Sequence, residues 1–64
     1  MPDKFVWLKA ANDKLFFYGN GGRWEVVPFG LGRAVFRANK DTGYRFDTVK
    51  TAKMFVELRD EDYA

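Results

Sequence analysis

Four arginines, Arg23, Arg33, Arg37 and Arg45, fall in segments whose polar and apolar residues alternate as β-strands do. Each guanidinium carries a permanent charge and a planar fork of N–H donors that fits a phosphate or the acceptor edge of a base. Placed at alternate strand positions, such groups could grip successive phosphates or read base edges, and a sheet face is one way proteins enter DNA. Lys40 stands close by in the chain. Residues 14–53 hold eight Lys and Arg against three Asp and Glu, a balance of +5, whereas residues 57–62 hold one against four, a balance of −3. A basic sheet with an acidic tail would give that split, and so would an ordinary solvated surface with local ion pairs.

What is missing excludes more than what is present. The 64 residues contain no cysteine, histidine, serine or glutamine. That removes the thiol and serine nucleophiles, the imidazole base and the usual zinc ligands. Asp, Glu, Lys, Tyr and Thr remain, but in no recognisable catalytic arrangement, so the expectation is a non-enzyme with no cofactor and no metal. Gly19-Asn20-Gly21-Gly22 and Gly30-Leu31-Gly32 look superficially like phosphate loops. Both lead into strands and not into a helix N-terminus, so both are turns.

The turns set out the elements that must position these residues. Asn12-Asp13 suits a two-residue hairpin turn between Phe5–Ala11 and Lys14–Tyr18. The first glycine cluster is a looser connection into Arg23–Phe29, and the second turns the chain into Arg33–Asn39. Asp41-Thr42-Gly43 reads as a three-residue turn, with Gly43 supplying positive φ, before Tyr44–Phe46. Asp47 and Thr48 then offer capping oxygens to a helix over about Thr48–Leu58, whose stripe is Val49, Ala52, Phe55 and Val56 with Arg59 at its edge. Lys50, Lys53 and Glu57 form its polar side. Met54 and Leu58 sit one turn apart, away from the stripe.

The fold class expected is α+β: one small domain over residues 1–64, an antiparallel sheet of four to five strands with one C-terminal helix packed on one face. Acidic residues crowd the helix C-terminus, where the macrodipole disfavours them, so fraying is expected from about residue 59. A chain this short without disulfides must be held by apolar burial, and twelve aromatics are more than one small core is expected to hide.

Register follows from the turn centres. Centring the third hairpin on Leu31 pairs Phe29 with Arg33, Val27 with Val35, Glu25 with Arg37 and Arg23 with Asn39, all on one outer face. Trp24, Val26, Pro28, Ala34, Phe36 and Ala38 then face the helix. Glu25–Arg37 would be an ion pair and Phe29–Arg33 a cation–π contact. Pairing about Asn12-Asp13 sets Trp7 opposite Tyr18 and Lys9 opposite Phe16, with Phe5 beside them. That aromatic ledge is either folded into the core or open as a stacking or docking surface.

Trp24-Glu25-Val26-Val27, a hairpin, and then Tyr44-Arg45-Phe46-Asp47-Thr48-(x)3-Ala52 resemble the ethylene-response-factor type of DNA-binding domain and the related arm-binding domains of tyrosine integrases. The match covers roughly residues 24–56, and it departs from the family at Arg45, where the family carries glycine. The resemblance implies a sheet set against one helix, with Arg23, Arg33, Arg37 and Arg45 on the nucleic acid.

Two functional expectations result. The first is a small accessory or regulatory protein that binds nucleic acid through Arg23, Arg33, Arg37, Lys40 and Arg45. The second is a protein–protein module, an inhibitor or adaptor of the sort mobile elements encode, acting through Phe5, Trp7, Phe16 and Tyr18 with Met54 and Leu58, or as a homodimer through the same patch. The opening residues lack an apolar signal-peptide core and no segment has the length of a membrane span, so the expected location is cytoplasmic.

Overall fold

Each break in the alternation turns the chain back on itself. The strands are β1 (Trp7–Lys9), β2 (Leu15–Gly19), β3 (Gly22–Phe29), β4 (Gly32–Arg37) and β5 (Lys40–Phe46), followed by the helix α1 (Val49–Glu61). They form one antiparallel sheet in the order β1-β2-β3-β4-β5, and α1 packs on one face. The structure is a computed structural model that describes residues 6–64; Phe5 lies outside the described residues.

Turn lengths differ from those expected, and this moves side chains between faces. Gly30 adopts φ 58° in a two-residue Gly30-Leu31 turn, so Phe29 pairs with Gly32, Val26 with Val35 and Trp24 with Arg37. The expected centre on Leu31 is therefore off by one residue. Because side chains alternate, a one-residue slip exchanges the two faces of a whole strand. Arg33 and Arg37 join Trp24 and Val26 on the helix side, whereas Ala34 and Phe36 join Glu25 and Val27 on the open side. Burial explains the choice: this register sets the branched side chains of Val26 and Val35 side by side beneath the helix, both almost wholly buried.

The first hairpin shifts in the same way. Ala11 joins Asn12 and Asp13 in a three-residue turn, Ala10 N–H donates to Lys14 O at 2.7 Å, and Trp7 pairs with Phe17. Trp7 thus turns under the helix, stacked on Phe17 at 5.2 Å, and away from Phe16 and Tyr18. The Gly19–Gly22 connection is a tight two-residue turn at Asn20-Gly21. The last turn is Ala38-Asn39, both at positive φ (53° and 65°), with Arg37 paired to Lys40. Asp41–Gly43, expected to be that turn, lies inside β5. Gly43 does take positive φ (87°), but it serves a bulge in which Thr42 Oγ1 donates to Val35 O at 2.6 Å.

Thr48 caps the helix, its Oγ1 accepting from Thr51 N–H at 3.2 Å. Ala52 and Val56 are fully buried against Phe17, Trp24, Val26 and Val35, and Phe55 meets Phe46 and Tyr44 at the β5 edge. The stripe continues through Asp60 and not along Arg59, which is exposed beside Asp62. Lys53 and Glu57 are half-buried and engaged with Trp7: the Lys53 ammonium lies 5.5 Å from its ring, and Glu57 accepts from Trp7 Nε1 at 2.8 Å. The helix α1 runs to Glu61, two residues past the point where fraying is expected.

Candidate functional site

Two chemically distinct places result from this arrangement. The first is a latch under the helix C-terminus. Asp60 is 2 % exposed, and its carboxylate accepts from Trp24 Nε1 at 2.9 Å, Asn20 N–H at 2.9 Å and Gly21 N–H at 2.8 Å. A buried carboxylate at a helix C-terminus opposes the macrodipole, and these converging donors offset that cost. Arg37 belongs to the same cluster. It donates to Gly21 O at 2.9 Å and lies against the rings of Tyr63 (4.8 Å) and Trp24 (5.8 Å). Arg37 is thus occupied in holding the turn to the chain end.

The second place is the sheet face that α1 leaves uncovered. Leu8, Phe16, Glu25, Phe36 and Asp41 form one cross-strand row, with Tyr18 and Arg23 paired beside it and Val27, Ala34 and Arg45 on its other side. Tyr18 is 64 % exposed and makes an edge-to-face contact with the half-buried Phe16 at 5.7 Å. Lys14, Arg23, Glu25, Val27, Phe36 and Asn39 line an open depression of about 370 Å³.

The cations expected on one face are therefore divided. Arg23 and Arg45 lie on the open face, Arg33 and Arg37 on the helix side, and Lys40 in the exposed β4–β5 turn region. Arg33 donates from Nη1 to Gly32 O at 2.8 Å, and its Nε is buried without a partner among the described residues. The two open-face arginines each have a carboxylate. Arg23 donates to Glu25 Oε1 at 3.1 Å and also to Asn39 Oδ1. Arg45 makes a bidentate pair with Asp41 (2.9 and 2.7 Å) and lies 4.3 Å from the Phe29 ring. The expected Glu25–Arg37 and Phe29–Arg33 contacts are thus replaced by Glu25–Arg23 and Phe29–Arg45.

The Arg45 hydrogen bonds, helped by the Gly43 N–H, hold the Asp41 carboxyl below its usual 3.8 at about 2, and the Arg45 pKa is raised in turn. A carboxyl lowered in the folded state stabilises it above about 3.8 and loses that contribution as pH falls through about 2. In a carboxyl-carbon NMR titration, Asp41 should show a midpoint near 2, and Arg45→Gln should return it toward 3.8. A midpoint unmoved by that substitution would rule the pair out.

The expected ledge of Phe5, Trp7, Phe16 and Tyr18 is also divided, since Trp7 faces the helix. Met54 and Leu58 do lie exposed, at 54 % and 71 %, beside Glu57 and Glu61. The open-face residues that sequence reasoning missed are Lys14 and Phe36, whereas Glu25 and Asn39 lie on the outer face as expected. One signal could have found Phe36: glycine in the first place of Gly30-Leu31 fits a two-residue hairpin turn, and that register sets it, half-buried, on the open face.

Fold and site together define a sheet-plus-helix α+β domain with one open, aromatic sheet face. No protein-family model, curated protein or solved structure matches the chain. Among the described residues, no acidic cluster could hold a metal ion and no helix is long and apolar enough to cross a membrane.

Proposed function

We propose that the protein binds single-stranded nucleic acid on the open sheet face. One observation carries this reading: Phe16, Tyr18 and Phe36 share that face with Lys14, Arg23 and Arg45. Of the three, Tyr18 is exposed and the two Phe are half-buried; aromatic rings on a sheet face accept unstacked bases, and neighbouring cations track the backbone of the strand. Division of the four arginines between faces favours a single strand over a duplex groove, because no row of guanidinium groups is left to enter one. The residues behind the resemblance to duplex-binding domains, Trp24, Phe46 and Ala52, are engaged in the core.

The test is anisotropy of labelled mixed-sequence 12-mers, single-stranded and duplex, at about 50 mM and about 200 mM salt. Three phosphate contacts predict a slope of about −2 in log K against log salt for the single strand, which should bind more tightly than the duplex. Undetectable binding at the lower salt, or binding indifferent to salt, would end this reading.

The exposed Met54 and Leu58 favour a second reading, a protein-docking or self-association surface on the outer side of α1. In its homodimeric form, sedimentation shows a dimer that Leu58→Glu dissociates. A monomeric wild-type chain at high micromolar concentration counts against that form.

A further inference from the structure

Glu25 is out of place on a surface built only to attract phosphate. It lies between Phe16 and Phe36 as direct cross-strand partner of both, with a side chain only 20 % exposed. One oxygen accepts from Arg23 at 3.1 Å; the other accepts no hydrogen bond among the described residues. The same Arg23 Nη2 also donates to Asn39 Oδ1. Together with Lys14 and Val27 these groups line the depression whose floor includes Phe36.

We propose that this depression reads guanine, a deepening that rests on the single-strand reading above. A base laid on Phe36 brings its Watson–Crick edge to the Glu25 carboxylate, which only accepts hydrogen bonds and can accept two side by side. Guanine alone among the common bases offers two adjacent donors there, N1–H and the N2 amino group. Adenine and cytosine set a ring-nitrogen acceptor beside their amino group, and thymine and uracil flank one N–H with two carbonyls. Each of these turns a lone pair toward a carboxylate oxygen. The same carboxylate that repels phosphate therefore selects one base, while Lys14 and Arg23 on the rim meet the backbone.

The experiment compares thymine octamers whose central base is dT, dG, dA, dC or inosine, on the wild-type chain at about 50 mM salt. A central dG should raise affinity about tenfold over dT, and inosine, which lacks the N2 amino group, should lose most of that gain. Glu25→Gln should bring the dG-to-dT ratio close to one. Asp13→Asn, which removes the same charge in the β1–β2 turn, should leave the ratio intact. Equal affinity for all five octamers, inosine equal to dG, or a preference that survives Glu25→Gln would overturn guanine reading while leaving single-strand binding in place. If no octamer binds, the reading beneath it fails as well. The inosine comparison needs no variant, so it decides even if Glu25→Gln folds poorly.

Discussion

Asp60→Ala should destabilise the protein by about 3 kcal/mol, since it leaves the buried Trp24 indole N–H and two turn amides without their acceptor. A core this small supplies only about 3–5 kcal/mol of net stability, so the loss is of the order of the whole. Midpoint temperature should fall by roughly 12–24 °C, at about 4–8 °C per kcal/mol for a domain of this size. Asp60→Asn keeps one acceptor but points an amino group at a donor, so it should lie between wild type and Asp60→Ala. Trp24→Phe removes one donor of the three and should cost less than Asp60→Ala. The substitution Gly19→Ala attacks the same group from outside, because a Cβ at residue 19 would lie 2.5 Å from Asp60 Cγ. Its effect should largely vanish in an Asp60→Ala background, the non-additivity expected of residues in direct contact. Urea denaturation of the four single variants and of Gly19→Ala/Asp60→Ala measures all of this. A loss below about 1 kcal/mol for Asp60→Ala would mean that the latch does not hold the helix end.

Asp60 also shows where the sequence was legible and where it was not. Helical spacing puts it on the buried face, four residues beyond Val56 and eight beyond Ala52, but the expected stripe ran to Arg59 and left Asp60 in the acidic tail. Its role was not legible, because a carboxylate there reads as solvated tail unless its donors are known, and those donors come from residues about forty positions earlier in the chain. Strand number, the Thr48 cap and the Ala52–Val56 stripe were written in local patterns, and the structure bears them out. Register was written in turn lengths, and three of these mislead. Ala38-Asn39 holds two residues in left-handed backbone, which Ala seldom adopts, while the glycine-bearing Asp41–Gly43 segment beside it imitates a turn. One residue of slip was enough to exchange Arg37 for Phe36 on the open face. The sequence thus showed that one sheet face would be free and placed Arg23, Glu25 and Arg45 on it, but it set Arg33 and Arg37 where the structure sets Ala34 and Phe36.

That exchange yields the second large effect, on binding and not on stability. Phe16→Ala/Phe36→Ala should weaken single-strand binding by about a hundredfold, at 1–3 kcal/mol for each stacked base, with an unchanged salt slope. Lys14→Gln/Arg23→Gln should do the reverse in kind: a smaller loss at high salt, and a slope shallower by about 1.4, two phosphate contacts at 0.7 each. The separation is possible because both aromatics lie on the face that α1 leaves uncovered, outside the buried cluster of Phe17, Trp24, Val26, Val35, Ala52 and Val56. Their removal should therefore shift the melting midpoint far less than Asp60→Ala does. Arg33→Gln/Arg37→Gln supplies the contrast. The expected basic face would make those two arginines dominant in binding. In the observed register they lie on the helix side, Arg37 against Tyr63 and Trp24, so their loss should lower stability and leave the salt slope as it was. A slope that falls in that variant, with aromatic substitutions that leave affinity untouched, would return the binding surface to the helix side and remove the open sheet face from consideration.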